Sequence, residues 1–130
     1  MNPKNLMTGM SVITALVGLA FIIFPTQITT TIFPAVGEEA IMVGVAHRQL
    51  LGAAVLSVTI YLWFMKDAEE AIGKRFLLAT SLCFCLQALG ILKASVIDGV
   101  IPLPIPPFAL TVILSIASFY VSKKGSSDSV

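Results

Sequence analysis

Four long apolar runs, with the charges gathered between them, limit what this chain can fold into more than any other feature does. They extend from Leu6 to Phe24, Ile41 to Met65, Phe76 to Ile97 and Pro104 to Val121. A hydrocarbon core of about 30 Å takes about 20 apolar helical residues to cross. The first three runs reach that length and the fourth nearly does. The pattern predicts an all-α integral membrane protein, a four-helix up-down-up-down bundle. Its helices are expected over residues 3–24, 40–65, 75–97 and 104–122, with a polar tail over 123–130, in a single transmembrane domain spanning 1–130. Only 12% of the 130 residues are charged and 57% are hydrophobic. Soluble domains carry about 25% charged residues, so this chain has too little polar surface for a water-facing skin. Its net charge of +1 gives no field that would collect nucleic acid.

Lys4 followed by an apolar stretch has the front half of a signal peptide, but Phe24, Pro25, Thr26 and Gln27 offer no small-x-small cleavage site. An uncleaved first helix is expected, with Asn2 as its N-cap and Pro3 at its first helical position. Four spans place Lys4, Lys66, Lys74, Arg75, Lys123 and Lys124 on one side, whereas segments 25–40 and 98–107 contain no Lys or Arg. Positive charge marks the cytoplasmic side, so both termini are expected there. Segment 66–75 reads as a solvated charged turn. Segment 25–34 is too apolar for free solvent and too broken for a span, which predicts a loop lying in the headgroup zone. The prolines of segment 101–107 are suited to starting the fourth helix, where a missing N–H costs nothing. The tail 125–130 has the composition of a disordered end.

Lipid gives helices no hydrophobic drive to associate, so small residues and hydroxyls mark the packing faces. The first run offers Ser11, Ala15 and Gly18; the second Gly44, Gly52, Ala53 and Ala54; the third Cys83, Gln87, Gly90 and Ala94. In the fourth, Thr111, Ser115, Ser118 and Ser122 recur at three- and four-residue steps and form one stripe. Such stripes serve either internal packing or the docking of a partner protein. Gln87, near mid-membrane, is expected to hydrogen-bond across helices.

The charges that are costliest to place lie near the other edge of the bilayer. Arg48 comes 18 residues before Lys66, and Lys93 comes 18 after Arg75; at 1.5 Å per residue, each sits about 27 Å from the basic edge. His47, Glu38, Glu39 and Asp98 lie nearby in sequence. A charge within the bilayer needs a partner or a route to water. An external polar cluster is therefore expected, with Arg48 and Lys93 as cations and Asp98, Glu38 or Glu39 as counter-ions. It would either anchor helix depth by snorkelling or hold a lipophilic or anionic-headed ligand.

His47 is the chain's one histidine, and a single imidazole cannot give paired axial haem ligation. No Cys, Glu or second His stands at ligand spacing, so no metal site and no cofactor are expected; a pigment or quinone near His47 is the alternative. Cys83 and Cys85 lie two apart on one helix and point to different sides. They lack the C-x-x-C spacing of redox chemistry and read as small packing residues. The first run holds no carboxylate of the kind a small multidrug exporter needs, and no reactive cysteine pair or Ser/His/Asp set is visible. These absences point away from an enzyme.

Gly18 to Pro25 closing the first helix, His47 to Gly52 opening the second, and Leu92-Lys93 followed by Asp98-Gly99 ending the third resemble the motifs of short bacterial four-helix membrane proteins that are DoxX-like in layout. Lys93 stands where that group's pattern has Arg, which removes a bidentate fork. The resemblance implies a four-helix fold in a bacterial inner membrane and a possible Arg48/Lys93/Asp98 site, and it implies no activity. The sequence thus predicts a non-catalytic accessory or assembly subunit that packs against a larger membrane complex or another copy of itself. The alternative is a membrane-embedded binding protein or enzyme for a ligand at the external cluster.

Overall fold

The computed structural model describes residues 2–99 and 101–124. They form α1 (Pro3–Ile23), α2 (Pro25–Ile32), α3 (Glu38–Met65), α4 (Glu70–Leu92), a π turn (Lys93–Ile97) and α5 (Ile105–Lys123). No strand occurs among the described residues, so the fold is all-α. Four helical segments are long and apolar enough to cross a membrane: α1, α3, α4 with its π turn, and α5. Of the polar tail, residues 125–130 lie outside the described residues.

Local chemistry sets most of the helix ends. The Asn2 Oδ1 accepts the Lys4 backbone N–H at 2.6 Å, which satisfies one of the donors that a helix start leaves open. Prolines occupy the first positions of α2 and α5, where no N–H is required. After the π turn, the Asp98 N–H donates to the Lys93 carbonyl at 2.9 Å, and Gly99, at φ 61°, turns the chain out of the helix through the left-handed region open to glycine.

Two segments differ from the sequence expectation. The stretch expected as an irregular loop folds as α2. Pro25 is a helix starter, and two of the threonines satisfy their hydroxyls locally. Thr30 Oγ1 donates to the Thr26 and Gln27 carbonyls, and Thr31 Oγ1 to that of Gln27. The charged turn is also shorter than expected, because α4 begins at Glu70, five residues before 75. An i,i+4 pair, Glu70 with Lys74 at 2.5 Å, extends the helix into the polar zone.

The chain divides into two compact units. One is Thr8–Phe64, holding most of α1 together with α2 and α3. Within it Gly18 and Gly52 meet backbone to backbone: a Cβ on Gly52 would stand 2.9 Å from the Gly18 carbonyl oxygen. Thr59 Oγ1 donates to Thr14 Oγ1 at 2.8 Å, and Thr14 Oγ1 donates on to the Met10 carbonyl at 2.9 Å. The other unit comprises residues up to Met7 and the chain from Met65 on. There α4 buries Gly73, Leu77, Thr80, Ser81, Phe84 and Ala88, a stripe at helical spacing. Ser81 Oγ donates to the Ser115 carbonyl and Ser115 Oγ to the Ser81 carbonyl, both at 2.9 Å, tying α4 to α5. Lys4 meets Asp67 at 2.7 Å, fastening the start of α1 to the charged turn.

Candidate functional site

The residues of the expected polar cluster are distributed over both units. In the unit that carries the π turn, Lys93 Nζ donates to Asp98 Oδ2 at 2.5 Å. The bond spans five residues because the π turn brings Asp98 back beneath Lys93. This cation therefore has its counter-ion on its own segment. Ser95, inside the turn, keeps a covered Oγ with no hydrogen-bond partner.

In the other unit, Arg48 lies half-buried on α3, its guanidinium carbon 5.6 Å from the centre of the Phe21 ring. No carboxylate pairs with it among the described residues. Glu38 and Glu39 are exposed in the first turn of α3; ten and nine residues before Arg48, they stand about 15 and 14 Å further along the axis. His47 and Gln49 flank Arg48 and are exposed. Gly44, Arg48 and Gly52 recur every fourth residue and share one face of α3. On that face Gly52 receives α1. Gly44 receives Thr29 of α2, whose Cγ2 lies 2.5 Å from where a Cβ would stand. Thr29 is buried and its Oγ1 has no hydrogen-bond partner among the described residues.

The packing residues divide differently from the sequence expectation. Thr111 and Ser118 are buried, Ser115 is half-buried against Ser81, and Ser122 is half-buried with its hydroxyl on the Phe119 carbonyl at 2.7 Å. Gly52 lies in a helix crossing. Gln87 is exposed and makes no hydrogen bond among the described residues. At 100° per residue, Gln87 falls just outside the arc centred on Leu77, Phe84 and Ala88. Gly90 is exposed, with nothing within 4 Å of a Cβ placed on it. Cys83 and Cys85 are exposed as well, not packed. Two residues apart means about 200° around the helix, so they straddle the buried stripe and both miss it.

Sequence reasoning does not find Phe21 beneath Arg48, Thr14 opposite Thr59, or Ser81 as the partner of Ser115. The four-residue spacing of Gly44, Arg48 and Gly52 is the one signal that could have located the Arg48 face. No group of three or more His, Cys, Asp or Glu side chains among the described residues is placed to hold a metal ion. No family model, curated protein or solved structure matches the chain.

Proposed function

We propose that this protein is a non-catalytic subunit of a larger integral-membrane assembly, held there by helix packing in the plane of the bilayer. The reading places it in a bacterial inner membrane with both termini cytoplasmic, which the one-sided distribution of Lys and Arg supports. A DoxX-like layout belongs to the same proposal and rests on the short motifs around Phe24-Pro25, Arg48 and Asp98-Gly99.

The observation that carries the assembly role is the uncovered carboxamide of Gln87. It follows Arg75 by 12 residues and precedes Lys93 by six, which puts it about 18 Å from one charged edge and about 9 Å from the other. At that depth no water reaches it, and an amide left without a partner in hydrocarbon costs several kcal/mol. Cys83 and Gly90, exposed on the same flank of α4, leave room for another helix to approach closely. A transmembrane helix packed on this flank supplies the amide's missing hydrogen bonds.

The test is mild-detergent extraction, native electrophoresis and mass identification of co-migrating chains, on the wild type and Gln87→Leu. Because Gln87 makes no hydrogen bond among the described residues, the variant should fold normally and leave the complex. A wild-type protein that migrates as a lone monomer, or a Gln87→Leu variant that stays fully assembled, would count against the assembly role.

A further inference from the structure

Arg48 is a cation whose chemistry the fold does not complete. Lys4, Lys74 and Lys93 each meet a carboxylate within the chain. Arg48 is half-buried, lies within a span, and has an aromatic ring but no carboxylate against it among the described residues. Its guanidinium carries five N–H donors in a planar fork and stays charged at any physiological pH. A partly desolvated charge of this kind calls for an acceptor.

Its position indicates which acceptor. Counting from Lys66, Arg48 lies about 27 Å along the helix, at the far margin of a core about 30 Å thick. Its neighbours on either side, His47 and Gln49, are polar and exposed, as suits a level where hydrocarbon gives way to headgroups. The anions native to that level are phosphates. Phe21, brought in by the Gly18–Gly52 crossing one turn away, lies within cation–π reach of the guanidinium, 5.6 Å from its carbon to the ring centre. Its N–H fork, which meets no carboxylate among the described residues, suits an oxyanion, and planar bidentate recognition of phosphate is what distinguishes Arg from Lys.

We propose that Arg48, seated on Phe21, is a binding site for a phosphate group at the outer margin of the bilayer, and that a phospholipid headgroup supplies it. The site differs from a side chain that only snorkels: charge alone satisfies snorkelling, whereas this site requires the fork and the ring. It is independent of the assembly role, which rests on Gln87.

The experiment uses the full chain, delipidated in detergent, with native mass spectrometry as readout. The probes are a phosphatidylglycerol, a diacylglycerol of the same chains that lacks the phosphate, and inorganic phosphate as competitor. The wild type should bind the phospholipid about tenfold or more above the diacylglycerol, the scale of one charge-assisted hydrogen bond. Arg48→Leu should erase that preference. Arg48→Lys keeps the charge and Phe21→Leu keeps the guanidinium; each should reduce the preference several-fold while circular dichroism stays unchanged. Displacement by millimolar inorganic phosphate would support the phosphate chemistry and move its source from lipid to free anion. Equal binding of the two lipids by the wild type would overturn the proposal, as would a wild-type preference retained in both Arg48→Lys and Phe21→Leu.

Discussion

Replacing Gly52 by alanine adds one methyl group where α1 and α3 cross backbone to backbone, and its cost can be worked out from the contacts. The new Cβ would stand 2.9 Å from the Gly18 carbonyl oxygen, 2.9 Å from Ile22 Cγ1 and 3.0 Å from Phe21 Cβ, where ordinary contact begins at 3.4 Å. The first of these is backbone and the third is next to it, so neither can rotate away. Relief requires α1 and α3 to separate by about 0.5 Å, a gap that already forfeits about a quarter of each contact's attraction. Small-to-large changes of this kind cost about 1–3 kcal/mol. Gly44→Ala should also destabilise, because the new Cβ would stand 2.5 Å from the Cγ2 methyl of Thr29, which is buried and β-branched. Gly90→Ala, with nothing within 4 Å, should stay within about 0.5 kcal/mol of wild type. Unfolding by sodium dodecyl sulfate in mixed micelles, followed by circular dichroism, ranks the three. If Gly52→Ala unfolds at the wild-type midpoint, or Gly90→Ala is the most damaging, the Gly18–Gly52 crossing is not what joins α1 to α3.

Two further outcomes are expected. Ser81→Ala and Ser115→Ala should each cost about 0.6–1 kcal/mol, and the double variant should cost nearly their sum, because each hydroxyl bonds to the other residue's carbonyl. A coupling above about 1 kcal/mol in a double-mutant cycle would instead make the Oγ–Oγ contact the principal one. The hydrogen bond from Lys4 holds the Asp67 carboxyl below its usual range against an opposing desolvation, and the charges of Lys4 and Lys66 add to the lowering. A depressed folded-state pKa stabilises above the unfolded value, about 3.9, and that contribution disappears as pH falls through the folded value. The difference in thermal midpoint between wild type and Asp67→Asn should therefore be flat from about pH 7 to 5 and shrink below about 4. A difference that already changes near neutrality would refute the assignment.

The lengths of the apolar runs made the spans legible, because run length is a property of sequence alone. Both large departures occur where polar residues act locally. The Thr-rich stretch after Phe24 reads as broken until its hydroxyls are seen bonding one turn back, which turns a Pro-initiated segment into α2. The residues from Glu70 to Lys74 read as solvent turn, yet their charges at i,i+4 spacing prolong α4.

Which face of each span turns inward was far less legible, for a physical reason. In a soluble helix the polar residues point to water and so identify the buried side; a span is apolar all round and gives no such signal. The remaining guides are small residues and hydroxyls, and in α4 these occupy more than one arc. Cys83, Gln87 and Gly90 form as convincing a stripe as Thr80 and Ser81. What selects Ser81 is the opposite helix: Ser115 offers both a hydroxyl and a carbonyl at the right height, so two bonds close at once, whereas no described residue of the chain answers Gln87. The same reasoning separates Lys93 from Arg48. The π turn returns Asp98 to Lys93 within five residues, while the regular helix around Arg48 carries Glu38 and Glu39 away from it at 1.5 Å per residue. A functional side chain in a bilayer is thus recognised less by its own type than by whether its chain supplies the group that would neutralise it. By that criterion Gln87 and Arg48 are the positions where we propose that this protein meets groups outside itself.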